Sequence, residues 1–330
     1  MPNMPATEIS SAVLNGRYQV GPLIGRGGMG SVYRGIDHVL QRQVAVKVLH
    51  RAHDGRQRLD LERQEVLTMA RLNHPGLVAL YDAGTTPYGG DDVPWLVMEL
   101  IDGVDLGLQL EAGPLDQRAT ALLGSRLAAT LHYIHNHSTV HRDIKPSNVM
   151  LAHYGDDDPQ PKLADFGIAT LIGQPGLAAG DTTIGTAAYL SLEQVRGGSV
   201  GPASDIYSLG LVLLQCLTGE VEYPGPSLES ALARLDRPPR IPPDLLPELR
   251  ALLAAMTAAE EPERPDALDV ARTLRNIGGI FQENPAPAPR KIATAGSRPL
   301  APLHLLPSLS TGQLTNATRA LAPLNPPVLP

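Results

Sequence analysis

The sequence has one cysteine in 330 residues, Cys216, inside the apolar run LGLVLLQCL. That excludes an intramolecular disulfide and a cysteine-clustered metal, and it suits a reducing compartment. Lysine is nearly as rare: of 27 basic residues only Lys47, Lys145, Lys162 and Lys291 are lysine. A compact ammonium and a planar guanidinium are not interchangeable at a point-charge site, so these few lysines are worth following. Also missing is any uninterrupted apolar run near the roughly 18 residues of a membrane span. The N-terminal MPNMPATEIS lacks the basic-then-apolar order of a signal peptide. Basic charge is not in excess either. A formal net charge of -7 argues against a chain that wraps nucleic acid, so any anion site must be local. These absences describe a soluble, cytoplasmic chain with no membrane span and no nucleic-acid partner.

What is present is enough apolar material, 43% of residues, for a proper core in one large or two modest domains. Residues 17 to 49 alternate as strands, RYQVGPLIG, SVYRGID and RQVAVKVL, separated by glycine-rich or polar breaks, and this predicts antiparallel sheet. From Gln57 to Leu72 the pattern turns helical. Leu61, Met69 and Leu72 share a face that also carries Glu65, a carboxylate that needs a cation unless it reaches solvent at the stripe's edge. LVALYDAG and VPWLVMEL read as two more strands, with TTPYGGDDV as their turn. Beyond Asp102 and Gly103 helices dominate. DQRATALLGSRLAATLHYIHNH is amphipathic with Asp116 as its cap, and SDIYSLGLVLLQCLTG is a buried helix ending at Gly219. LPELRALLAAMTAAE and DALDVARTLRNIGG follow. After Asn284 there are ten prolines and no acidic residue, which predicts a disordered tail.

Three stretches carry chemistry. IGRGGMGSV places Gly25, Gly27, Gly30 and Val32 in a G-x-G-x-x-G-x-V spacing between two strands. A dinucleotide fingerprint would need a helix next, and SVYRGI is strand-like, so the surviving reading is a hairpin whose bare backbone approaches phosphates. VAVK then sets Lys47 mid-strand among apolar neighbours, with Glu65 as the available anion. VHRDIKPSNVML interrupts an apolar run with His141, Arg142, Asp143, Lys145 and Asn148, and the expectation is a strand that presents them to a ligand. DFG follows at Asp165, Phe166 and Gly167.

Glycine loop, strand Lys, helix Glu, HRDIKPSN and DFG, in this order, resemble the protein kinases. GTAAYLSLEQVRGG and SDIYSLGLVLLQCLTGE are most similar to the bacterial eukaryotic-type (Hanks-type) serine/threonine kinases. The resemblance implies an α+β, two-lobed protein kinase fold: a small antiparallel-sheet lobe with one main helix (15–101) and a larger helical lobe (102–278). A flexible N-terminus (1–14) and a Pro/Ala-rich tail (279–330) flank it. It further implies transfer of the γ-phosphate of ATP to Ser/Thr hydroxyls of proteins, with Mg²⁺, or Mn²⁺ in its place.

By the same resemblance Lys47 holds the α- and β-phosphates and Glu65 orients it. Asp143 serves the substrate hydroxyl, Lys145 steadies the transferred group, and Asn148 and Asp165 hold metal. Ile24, Val32 and Ala45 enclose the adenine, Met98 is the gatekeeper, and Glu99 and Ile101 offer hinge backbone groups. Met69, Leu80, His141 and Phe166 form a stacked spine anchored on Asp205. Arg142 pairs with a phosphorylated Thr182 or Thr183, while Thr186 bonds towards Asp143, and self-association for autophosphorylation is implied. The usual A-P-E reads Ser191-Leu192-Glu193, with Glu193 expected on Arg264. A scaffold without turnover and a small-molecule phosphotransferase are the alternatives; the complete residue set speaks against the first, and IKPSN and GTAAYLS against the second.

Overall fold

Alternating small and branched residues from Val13 to Leu49 and from Leu80 to Glu99 give two-faced strands, and their pairing sets the first half of the structure. The computed structural model describes residues 12–27, 30–49, 70–88, 91–155, 158–165 and 186–283. Among these, β1 (Val13–Leu14), β2 (Tyr18–Gly27), β3 (Gly30–Asp37), β4 (Arg42–Leu49), β5 (Leu80–Tyr88) and β6 (Asp91–Glu99) form one antiparallel sheet in the order β1-β2-β3-β4-β6-β5. Strand β4 is flanked on both sides and is the most buried. Its period of two sends Val44, Val46 and Val48 to one face with Tyr18, Tyr33, Trp95 and Val97. Ala45 packs on the opposite face with Leu96 and Met98, and Lys47 takes its place in that alternation.

Strands β5 and β6 are longer than the sequence reading allows. Residues 85–88 and 91–93 pair in register, Thr86 opposite Val93 and Pro87 opposite Asp92, instead of turning. Strand β5 is the sheet's edge, where a proline without a donor is tolerated.

The second half follows the helical expectations closely. Helices α1 (Leu106–Glu111) and α2 (Gln117–Asn136) each begin on a capping aspartate; Asp116 Oδ1 accepts from the Ala119 amide at 2.7 Å. After α3 (Leu192–Arg196), α4 (Pro202–Thr218) starts two residues before Ser204 and ends at Gly219, whose φ of +75° closes it in the left-handed region. Then come α5 (Ser227–Asp236), α6 (Pro247–Met256) and α7 (Ala267–Glu283). Leu127 and Leu131 of α2, Leu209 and Leu213 of α4, Leu253 of α6 and Leu274 of α7 share one core. Cys216 is buried in it, and burial pushes its thiol up to about 12, so it is inert.

Helix α5 was not legible. Its leucines, Leu228, Leu232 and Leu235, face solvent, while Ser230, Ala231 and Arg234 face inward. A small sheet of β7 (Gly103–Asp105), β8 (Val149–Ala152) and β9 (Gln160–Leu163) was also not foreseen as a unit. Leu163 ties it to the chain entering β5: its carbonyl accepts from Val78 and its amide donates to Gly76.

Nearly all of the expected Gln57–Leu72 helix, with Glu65 and Met69, lies outside the described residues, as do Phe166, Gly167, Thr182, Thr183 and the tail from 284. Among the described residues no helix is long and apolar enough to cross a membrane. No group of three or more metal-ligating His, Cys, Asp or Glu occurs among them either.

Candidate active site

Strand register assembles the first wall. Val32 sits opposite Lys47 and Lys47 opposite Leu96, while Ala45 sits opposite Met98, so these side chains share one face. Leu80 packs on the same cluster, Ile24 on β2 is about half exposed, and Ile101 is partly buried. Lys47 is buried, and its Nζ contacts Asp165 Oδ1 at 2.6 Å. Glu65 lies outside the described residues; among these, Asp165 is the anion on Lys47.

The three glycines of the loop divide into two kinds. A Cβ at Gly30 would sit 2.4 Å from the Val48 carbonyl oxygen, so glycine there is demanded by the approach of β3 to β4. A Cβ at Gly27 would meet nothing nearer than 4.0 Å, and one at Gly25 nothing nearer than 3.9 Å. Gly30→Ala is therefore expected to cost about 1–3 kcal/mol of stability by overpacking. Gly27→Ala should stay within about 0.5 kcal/mol of the parent while raising KM for ATP several-fold, as urea unfolding and ATP titration would show.

The polar residues of VHRDIKPSNVML are not on a strand, contrary to expectation. They occupy the irregular link after α2 and a 3-10 turn, Pro146–Asn148, and β8 begins only at Val149. Irregular backbone is needed because consecutive strand residues point to opposite faces, whereas here several must converge. Asp143 Oδ2 accepts from Lys145 Nζ at 2.8 Å and from Asn148 Nδ2 at 2.9 Å. The same Nδ2 reaches the Asp143 carbonyl at 2.8 Å. The Asn148 carbonyl in turn accepts from the Ala164 amide at 2.9 Å, which sets Asp165 beside the loop. Arg142 (φ +68°) and Asp165 (φ +53°) are both left-handed, a strained state that persists where surroundings fix it.

Asp205, buried in the first turn of α4, fixes Arg142. Its two oxygens accept from the amides of His141 and Arg142, each at 2.8 Å, and from His135 Nε2 at 2.8 Å. Gln194 Nε2 donates to the Arg142 carbonyl at 2.9 Å, a contact the sequence reading missed. Arg142 Nε is buried with no hydrogen-bond partner among the described residues. His141 is fully enclosed, and burial holds its pKa below the ordinary value despite Asp205, Asp143 and Asp165. Below about pH 6.5 the unfolded chain binds a proton that the native imidazole refuses, so stability falls as pH drops towards the native value. His141→Phe is expected to flatten that slope in unfolding experiments across the window.

Ser191, Leu192 and Glu193 open α3. Ser191 caps the helix with Gln194, and Leu192 stands at the first helical position, where a proline would also fit. Leu192 packs with Tyr207, Leu211 and Tyr223. Glu193 binds Arg264 through both oxygens, at 2.8 and 2.9 Å, as the sequence led us to expect. Thr186 opens a 3-10 turn, Thr186–Tyr189, and its side chain lies outside the described residues.

Comparison with known proteins bears on this geometry. The family model for the protein kinase domain matches residues 18–273. This chain belongs to the protein kinase family. The kinase is 38% identical over 295 residues to the serine/threonine-protein kinase PknL of Mycobacterium tuberculosis, covering 86% of this chain and 72% of that protein. It is 36% identical to PknB of Mycolicibacterium smegmatis, with 86% and 46% covered. To PrkC of Bacillus subtilis it is 37% identical over 220 residues, with 66% and 33% covered. Among solved structures it resembles the M. tuberculosis PknI kinase domain, with a TM-score of 0.63 at 25% identity, covering 81% of this chain and 98% of that one. It is a serine/threonine kinase of the bacterial Hanks type, and the sheet-rich and helical halves are the two kinase lobes.

Family membership implies ATP and a divalent cation. The residues fit both. With its Nδ2 on Asp143, the Asn148 amide keeps its oxygen for a ligand, and Asp165 contributes carboxylate oxygen, a hard-donor pair suited to a cation shared with phosphates. When bound, the cation neutralises charge developing on the phosphate oxygens. Lys47 supplies a buried ammonium at the same point, and Asp165 is its anion here.

Glu99 keeps one backbone group for the expected hinge contact. Its amide is taken by the Ala79 carbonyl at 2.8 Å, so of its two backbone groups only the carbonyl is a candidate for adenine. Its carboxylate grips Lys162, both oxygens at 2.8 Å. Burial alone would lower the Lys162 pKa; Glu99 outweighs it and the net shift is upward.

Proposed function

We propose that this kinase transfers the γ-phosphate of ATP to Ser and Thr hydroxyls of proteins through Asp143, Lys145, Asn148, Asp165 and Lys47, with Mg²⁺ as the metal and Mn²⁺ as its substitute. The observation that carries the reading is the unbroken set of short contacts from Lys145 through Asp143 to Asn148, and from Lys47 to Asp165. Phosphoryl transfer is catalysed mainly by positioning and by charge stabilisation, and a tightly tied cluster of two ammonium groups, two carboxylates and an amide supplies both. In this reading Asp143 receives the substrate hydroxyl, Lys145 steadies the transferred group, and Asn148 and Asp165 hold the metal. Ile24, Val32, Ala45 and Met98 enclose the adenine, while the Glu99 carbonyl and Ile101 meet its edge. Glu65 orients Lys47.

Autophosphorylation belongs to the same proposal. The Nε of Arg142, without a hydrogen-bond partner among the described residues, is a donor suited to a phosphate, which supports Thr182 or Thr183 as the acceptor. The kinase domain is taken as 15–278, and dependence on ATP suits a cytoplasmic setting.

Labelled ATP, offered with Mg²⁺, with Mn²⁺ and with chelator, tests the reading. Phosphoserine and phosphothreonine are expected in the protein acceptor, with label lost under chelation. Peptide maps should place chain phosphate at Thr182 or Thr183; an active preparation modified at neither would remove autophosphorylation there.

A further inference from the structure

Arg142 stands immediately before Asp143 in a left-handed conformation, with φ +68°. A non-glycine residue keeps that strained backbone only where its surroundings hold it. Two side chains do so, one at each backbone group. Asp205 Oδ1, from α4, accepts from the Arg142 amide at 2.8 Å, and Gln194 Nε2, from α3, donates to the Arg142 carbonyl at 2.9 Å. That carbonyl belongs to the peptide that leads into Asp143. The Asp143 amide at the peptide's other end lies 3.4 Å from His141 Nδ1, a long contact, which leaves Gln194 as the firmer hold.

Gln194 is itself aimed. Its Oε1 accepts from the Ser191 amide at 2.8 Å and from the Ser191 hydroxyl at 3.1 Å. A side-chain amide has one accepting and one donating end, so with the oxygen committed to Ser191 the nitrogen must face Arg142. The helix beneath it is fixed as well: Glu193, the preceding residue, is bound through both oxygens by Arg264 and also by the Ser204 hydroxyl. The contacts therefore run from a buried ion pair through α3 to the backbone beside Asp143, whose carboxylate is then set by Lys145 and Asn148.

We propose that Gln194 is a positioning residue for phosphoryl transfer. By holding the Arg142 carbonyl it fixes the direction in which the Asp143 side chain leaves the backbone, and so the place of that carboxylate against the substrate hydroxyl. The inference rests on the reading of Asp143 as the group serving that hydroxyl. A displacement of about 1 Å at a reacting group can cost on the order of 10²-fold in rate. A glutamine that merely capped α3 could be exchanged for glutamate without loss, because either residue closes a capping box. A carboxylate cannot donate to a carbonyl, however.

Gln194→Glu therefore separates the two roles. In steady-state assays of the full chain with ATP and a protein acceptor, kcat is expected to fall about 10–100-fold while KM for ATP stays within about twofold. The urea midpoint should match the parent's, since the cap is kept. Gln194→Met, which also lacks the donor, should show a similar fall in kcat. Combined with Asp143→Asn, Gln194→Glu should lower the residual rate by less than about twofold, because a residue acting through Asp143 then has nothing left to position. A Gln194→Glu kcat within about twofold of the parent overturns the role, as does a full second loss in the double variant or a rise in KM for ATP in place of the fall in kcat. Should Gln194→Glu fail to fold, Gln194→Met decides. Asp143→Asn run alongside tells the two failures apart. Parental kcat in Gln194→Glu beside a disabled Asp143→Asn removes only the role of Gln194, whereas a loss below about tenfold in Asp143→Asn removes the reading beneath it.

Discussion

Asp143→Asn is expected to lower kcat for phosphate transfer by about 10²–10⁴-fold, the usual worth of a positioned acid-base group and equivalent to roughly 3–5 kcal/mol of barrier. Asp143 Oδ2 accepts from both Lys145 and Asn148. An amide at this position cannot take up a hydroxyl proton. It also cannot satisfy the Lys145 ammonium with a formal charge, so the transferred group loses its neighbour's alignment as well. KM for ATP should change little, because the proposed nucleotide contacts come from Lys47, Asp165 and the β3, β4 and β6 face. Steady-state rates against a protein acceptor decide the matter, and a loss smaller than tenfold would show that Asp143 is not the group serving the hydroxyl. The fold survives the change on this view, so an equal loss of helical signal would point to a structural role instead.

Arg264→Met carries the largest expected effect on stability. The guanidinium is buried against Glu193 and also donates to the carbonyls of Ala258 at 2.9 Å and Ala203 at 3.0 Å. Removing it strands a buried carboxylate, which typically costs about 3–5 kcal/mol. Urea unfolding measures this directly. The pair Arg264→Met with Glu193→Leu should recover much of the loss, since no orphaned charge then remains. Acidity offers a second check. Burial would raise the Glu193 pKa, but the bonds from Arg264 and Ser204 outweigh it and the net shift is downward. The stabilisation is therefore present above the ordinary glutamate range and disappears as pH falls through the depressed native value. A single Arg264→Met variant as stable as the parent would show that the pair contributes nothing net.

Three of the four lysines can be followed from the sequence into the structure. Lys47, Lys145 and Lys162 each meet a carboxylate at 2.8 Å or less, Asp165, Asp143 and Glu99 respectively, and the first two stand in the proposed phosphate site. The spacing of HRDIKPSN and the position of Asp165 were legible because chemistry restricts those residue types. The strands from Tyr18 to Leu49 were legible because period-two burial writes itself into composition. Helix α5 was not, since its apolar stripe points to solvent and its buried face holds Ser230 and Arg234. Its inward partners come from Ala187 and Ala188, more than 40 residues away in sequence. Gln194 escaped notice for the same reason: a lone glutamine in SLEQV gives no sign that it will hold the Arg142 carbonyl. The Glu99–Lys162 pair likewise joins strands from different sheets, which neither local pattern announces.

Two separate mounts hold two loops of the helical lobe. The loop bearing Asp143 hangs from helix α4 through Asp205, while the Thr186–Tyr189 turn hangs from α5 through Arg234. Engineering can exploit that independence. Replacing Arg234 should therefore loosen the backbone at residues 187–189 while the amides of His141 and Arg142 keep their anchor, a difference that amide exchange reads directly.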